Sequence, residues 1–289
     1  MFSIENQYIR AVLASKGAEL QQIFSKEFQL DYLWNGDPAY WGKHSPILFP
    51  MVGTLKGDTY FHEGKTYRLS RHGFARDREF TVTRQHFDSI EFLLKSDDAT
   101  RLIYPFEFEL RIGYILQEDR ILVSYGVTNT GDRELLFSIG GHPAFRVPLE
   151  PGIEYNDYLL EFNEEETLPR WPISGEGLIE NHPLPLIKQT QFLPLSKDLF
   201  RSDALVLKFP ASSEVTLRSD KASHGIDFDF DGFPYLGLWA APGADFLCIE
   251  PWCGIADSVS ADQILDHKEG IQRLEPGEGF GRNWSVRLW

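Results

Sequence analysis

Three short segments of this 289-residue chain carry side chains suited to moving protons. They are Arg71-His72-Gly73-Phe74-Ala75-Arg76, Gly140-Gly141-His142-Pro143-Ala144-Phe145, and Cys248-Ile249-Glu250-Pro251-Trp252. His142 follows two glycines, which let the backbone approach closely, and precedes a proline, which stiffens the other side. That frame aims an imidazole, the usual group for giving and taking a proton near pH 7. Glu250 interrupts the apolar run Phe246-Leu247-Cys248-Ile249. Desolvation there raises a carboxyl toward the working range of a base, although a buried ion pair with an arginine would also account for it. Arg76 and Arg78 alone would fit local salt bridges. Arg71 beside His72 points further, because a guanidinium fork and a ring N–H together suit sugar hydroxyls or a phosphate.

Side chains on three separate segments need a rigid frame, and the frame that the sequence describes is all-β. Apolar residues alternate with polar ones at Ile121, Val123, Tyr125 and Val127, at Val215 and Leu217, and at Ile226, Phe228 and Phe230. Turn signals such as Asn35-Gly36-Asp37-Pro38, Glu63-Gly64-Lys65, Thr130-Gly131-Asp132 and Pro242-Gly243-Ala244 separate the strands at short intervals. This pattern predicts a large antiparallel β-sandwich over one domain, residues 1–289, with a few short helices. Ser260 with Gln263 reads as a capping box opening a short helix to about Lys268, and Asp37-Pro38 as the start of about one turn. The Pro-, Gly- and acid-rich stretch from about Glu164 to Pro194 is expected to form a wall beside the substrate.

Composition narrows the partners. A formal charge of -15 opposes nucleic acid and anionic membranes, which attract basic patches, so the expected partner is a small polar molecule. No stretch approaches the length of an apolar span, and the first residues lack the blocks of a signal peptide, so a cytoplasmic location is expected. Twenty-two Phe, 11 Tyr and 7 Trp exceed what one core requires. Some, Trp239 among them, are expected to offer flat faces to the C–H surface of a sugar. Cys248 and Cys253 match neither a zinc set nor a disulfide framework and read as buried apolar thiols. No H-x-H pair, G-x-S-x-G or phosphate-cradling glycine loop occurs, so neither metal nor cofactor is expected. His44, His62, His86, His182, His224 and His267 lack comparable frames and are expected on the surface or in loops.

Over nearly its whole length the chain resembles the aldose 1-epimerases, or galactose mutarotases, and within them the LacX-like branch. Gly53-Thr54-Leu55-Lys56-Gly57-Asp58, Gly64-Lys65-Thr66-Tyr67 and Arg71-His72-Gly73-Phe74-Ala75-Arg76 match the first half of that family in order and spacing. The resemblance implies the galactose-mutarotase supersandwich and an acid/base site that opens and recloses a pyranose. It makes His142 the catalytic acid, Glu250 the catalytic base, and Asp203, His72, Arg71, Arg76, Lys56 and Trp239 the substrate contacts. Two positions depart from the family pattern: Lys56 stands where an arginine is usual, and Gly141 where an asparagine is usual. An ammonium cannot reproduce a bidentate fork, and some relatives with a similar arginine-rich segment act on hexose 6-phosphates, so the sugar is left open. The alternatives carried from here are a hexose-6-phosphate 1-epimerase and a non-catalytic carbohydrate-binding or sensing protein on the same fold.

Overall fold

Alternation sets which face of each strand turns inward. Along Arg120–Asn129 the buried residues are Ile121, Val123, Tyr125, Val127 and Asn129, and along Phe108–Gln117 they include Phe108, Leu110, Ile112 and Tyr114. These two strands are interior neighbours in a nine-stranded antiparallel sheet. Its order is Thr190–Pro194, Leu159–Glu166, Glu214–Arg218, Ile226–Asp229, Gly279–Leu288, Arg120–Asn129, Phe108–Gln117, Ser89–Lys95 and Thr81–Gln85. The computed structural model describes all residues, 1–289. Its helices amount to one four-residue α-turn, Asp98–Arg101, and short 3-10 pieces.

A second sheet packs on the first and carries the chemistry. It runs Leu205–Lys208, Tyr235–Trp239, Phe246–Cys253, Ile139–Gly141 and Ile47–Leu48, with Ala144–Arg146 also paired to Phe246–Cys253. Phe145 meets Phe228 of the large sheet at 5.7 Å, and a Cβ added to Gly141 would lie 2.6 Å from the Tyr125 hydroxyl, so the layers are in direct contact. A four-stranded sheet, Phe2–Glu5, Ile9–Leu13, Leu20–Ser25 and Leu30–Asp31, adds Ile4, Ile9, Leu13 and Ile23 to the same core. No helix is long and apolar enough to cross a membrane.

Two local expectations are corrected. Residues 260–268 form only a 3-10 turn at Leu265–His267. Gln263 instead has φ +66°, and its side-chain amide donates to the Lys56 carbonyl and the Thr59 hydroxyl. Those tertiary bonds, and the parallel bridge Phe61↔Ile264, hold the segment extended against its local helical signal. His62 is buried at the end of Thr59–His62 and packs on Phe106 at 4.8 Å. The Asp37 turn forms, with Trp41 N–H donating to the Asp37 carbonyl at 2.9 Å.

Candidate active site

All eight residues of the strand Phe246–Cys253 are buried, one face against the core and the other against a cavity. Its partner strand is broken. Ile139–Gly141 and Ala144–Arg146 both pair with it, Gly140 opposite Trp252 and Ala144 opposite Cys248, and His142-Pro143 spans the gap. Ile249 N–H donates to the Pro143 carbonyl at 3.2 Å, which seats the break beside Glu250. His142 Nε2 lies 3.3 Å from Glu250 Oε2, with the two side chains 10 % and 2 % exposed. The contact lies within ion-pair range but outside hydrogen-bond geometry, and both Glu250 Oε2 and His142 Nδ1 are buried without a partner. Buried polar atoms are rarely left so, and such exceptions concentrate where a ligand supplies the missing bond.

The ring of His142 is caged. Trp41 stacks on it at 4.9 Å and 25°, while Trp239 and His72 meet it edge-on, each at 5.7 Å. Burial lowers the His142 imidazole to about pH 3 and pushes the Glu250 carboxyl well above its ordinary value, with the Arg71 charge opposing that rise in part. Both shifts favour the neutral pair, with the proton on the carboxyl, and oppose a resting ion pair of ionised Glu250 and protonated His142, because burial penalises either charge.

His72 is fixed by its backbone. It sits at φ +69°, its N–H donates to the Gly53 carbonyl at 2.9 Å, and its Nδ1 accepts from Gly53 N–H at 3.2 Å. Arg71 Nε–H is also directed at Nε2 at 3.3 Å; a neutral imidazole accepts at one nitrogen only, so the two bonds compete, and Nε2 carries the proton when Nδ1 holds the Gly53 bond. Burial holds the ring well below the ordinary imidazole value, which keeps it a neutral donor. Gly73, at φ +70°, has no room for a side chain: a Cβ would lie 2.3 Å from the Phe49 carbonyl oxygen.

Arg71 faces Asp203 through two N···O contacts of 3.4 Å. Asp203, at φ +87°, is a second non-glycine residue of the site in left-handed backbone, the kind of local strain that clusters at functional positions. Arg76 donates from Nη2 to the Arg71 carbonyl at 2.8 Å, and its buried Nε makes no hydrogen bond but lies 3.8 Å from Asp77 Oδ2. Arg71, His72, Arg76, His142, Asp203, Trp239 and Glu250 thus line one cavity of about 320 Å³, at the small end of small-molecule sites. Lys56 does not line it. The 3-10 turn Lys56–Asp58, with Gly57 at φ +61°, directs the Lys56 ammonium to the Ala261 carbonyl at 3.1 Å, so the expected sugar contact is not supported.

Sequence reasoning missed Trp41, although Asp37-Pro38 announced the turn that delivers it; Trp34 Nε1 donates to its carbonyl at 2.8 Å. From the stretch 164–194, Ile173, Gly177 and Ile179 form an apolar wall of the cavity, held by bridges Trp171↔Val206, Ile173↔Ile179 and Ile179↔Ser258. The donor set nearest to a metal site is His142, Cys248 and Glu250, whose ligand atoms lie within 4.8 Å of one another. Burial holds the Cys248 thiol well above its ordinary value, and that of Cys253 near 11.

Residues 1–280 match the family model described as aldose 1-epimerase. The plasmid-borne protein LacX of Lactococcus lactis subsp. lactis is 34 % identical over 295 residues, covering 99 % of this chain and 98 % of LacX. A galactose mutarotase related enzyme from Lactobacillus acidophilus is 36 % identical with a TM-score of 0.94, covering 100 % of this chain and 97 % of its own. A galactose mutarotase-like protein from Lactobacillus casei is 32 % identical with a TM-score of 0.95, covering both chains completely.

Proposed function

The chain belongs to the aldose 1-epimerase family, and from that premise we propose that it interconverts the α and β anomers of a hexose by opening and reclosing the pyranose ring. The observation that carries this reading is the buried, unsaturated contact of His142 with Glu250 at 3.3 Å. Opening needs a base on the C1 hydroxyl and an acid on the ring oxygen. As the sugar enters, its hydroxyls supply the hydrogen bonds that an ion pair needs, and the proton crosses from Glu250 to His142. Glu250 then removes the proton of the C1 hydroxyl, and His142 protonates the ring oxygen as its bond to C1 breaks. Both partners end neutral, the state that burial favours in the empty cavity, so the site is best matched to the open-chain sugar midway through the reaction. Rotation about C1–C2 presents the other carbonyl face, and closure reverses both transfers. Every proton removed is returned, and no step calls for a cofactor.

His72 Nε2–H donates to the ring oxygen or a neighbouring hydroxyl. The Arg71–Asp203 pair offers a donor fork and an acceptor to the remaining hydroxyls, and Trp239 a flat apolar face. One observation favours an anionic substrate, a hexose 6-phosphate: Arg71 and Arg76 both line the cavity, and Arg76 Nε makes no hydrogen bond. Polarimetry of freshly dissolved α-anomers of glucose, galactose and their 6-phosphates, with His142→Asn and Glu250→Gln in parallel, tests both readings. Faster equilibration lost in both variants is expected. No acceleration with any sugar would leave a carbohydrate-binding protein.

A further inference from the structure

We propose that His142, Cys248 and Glu250 form an inhibitory site for a thiophilic divalent ion of the zinc class, which occupies the place of the transferred proton. The site follows from register. Residues two apart on a strand share a face, so Cys248 stands beside Glu250 on Phe246–Cys253, and the break after Gly141 swings His142 over both. The three donor atoms lie within 4.8 Å of one another. The residues are 0, 2 and 8 % exposed for Cys248, Glu250 and His142, and two of their polar atoms, Glu250 Oε2 and His142 Nδ1, have no partner.

Donor type selects the ion. One sulfur, one imidazole nitrogen and one carboxylate oxygen suit zinc, cobalt or cadmium and are poor for magnesium or calcium, which take oxygen. Bonds of the usual lengths place one sulfur, one nitrogen and one oxygen ligand of tetrahedral zinc about 3.3–3.6 Å apart, so donors within 4.8 Å of one another need to draw together by about 1.5 Å at most. His142 and Glu250 line the cavity, which gives the ion its entry and leaves the fourth position open to water or a sugar hydroxyl. Binding releases the thiol proton and the proton of the acid/base pair to solvent. With the base and the acid both ligated, the ring can neither open nor close. Inhibition rests on the proposed epimerase reading; binding does not.

The test separates the two. Metal-free protein is titrated with Co²⁺, and a thiolate-to-cobalt charge-transfer band is sought in wild type, Cys248→Ser, Cys248→Ala and Cys253→Ser. The band is expected at one equivalent in wild type and Cys253→Ser, and absent from both Cys248 variants. In parallel, Zn²⁺ is titrated into the anomer-equilibration assay, each protein being compared with its own metal-free rate. Loss of the thiolate is expected to raise the half-inhibiting zinc concentration by about tenfold or more, and chelator to restore the wild-type rate. Absence of the band from wild type, or equal zinc sensitivity in wild type and both Cys248 variants, would overturn the site. A band in a wild-type protein that accelerates no sugar would uphold the site while removing the epimerase reading.

Discussion

Two buried acid–base pairs lie in this molecule, and they are built in opposite ways. Lys268 and Asp257, 2 % and 5 % exposed, meet at 2.7 Å, and every side-chain polar atom of the pair has a partner. The second oxygen of Asp257 accepts Lys56 N–H at 3.0 Å, its N–H donates to the Thr54 carbonyl at 2.9 Å, and its carbonyl accepts Ile179 N–H at 2.8 Å. Burial lowers the Lys268 ammonium, and the attraction of Asp257 works against that fall. His142 and Glu250 are also buried, yet each keeps a polar atom without a hydrogen bond. A saturated pair is a junction: this one ties together the loops that bring Gly53, Ile179 and Ala256 to the cavity wall. An unsaturated pair has bonding capacity left over for a substrate. Depth alone therefore does not tell these two pairs apart; their unpartnered polar atoms do.

Substitutions can break that contrast, and the largest effect is expected at Glu250. Glu250→Gln should slow anomer equilibration by about 10²–10⁴-fold, the range for loss of a general acid–base group, while the protein stays folded. A variant that keeps the wild-type rate removes Glu250 from the mechanism. Asp257→Ala, which strands a buried ammonium, should cost about 3–5 kcal/mol in denaturant unfolding, and Asp257→Leu with Lys268→Met should recover most of it. A cost no greater than that of a surface substitution would mean that the junction is ornamental. Arg71→Gln should raise KM by about tenfold with kcat far less affected if, as proposed, the fork holds hydroxyls and touches neither transferred proton.

The smallest effect separates the pairs by pH. His142 is lowered from 6.5 to about 3, so its contribution to stability is complete above about pH 6.5 and is lost as pH falls toward 3. Glu250 is raised, so its contribution is complete below the ordinary carboxylate value and is lost as pH rises through the raised one. Glu250→Gln should therefore gain melting temperature over wild type as pH is raised from about 4 to 9, and His142→Asn should lose less than wild type on acidification. Parallel melting curves for wild type and both variants across that range would contradict the placement of the proton.

The residues legible in the sequence were those whose neighbours constrain the backbone. Two glycines and a proline frame His142, an apolar run surrounds Glu250, and an arginine and a glycine flank His72, so type and place could be read together. Strand alternation was equally plain at Ile121, Val123, Tyr125 and Val127. Lys56 misled because its charge was visible and its direction was not: the left-handed Gly57 turns it to Ala261. Trp41 reaches His142 through a single turn after Asp37, and Cys248 joins the pair only through the break in a facing strand, so neither carries a local signal. The capping box at Ser260 was real as a pattern but lost to pairing of Gln263 with Lys56 and Thr59.

The apolar wall from Trp171 to Ile179 is fastened to the sheet by isolated bridges rather than by a continuous ladder, whereas Glu250 stands on a paired strand and His142 in the two-residue gap between strands paired to it. On the proposed epimerase reading, the part of the cavity that would sort sugars is thus fastened separately from the part that would open them. Substitutions in that short strap are expected to change which sugar is admitted while leaving His142 and Glu250 in place.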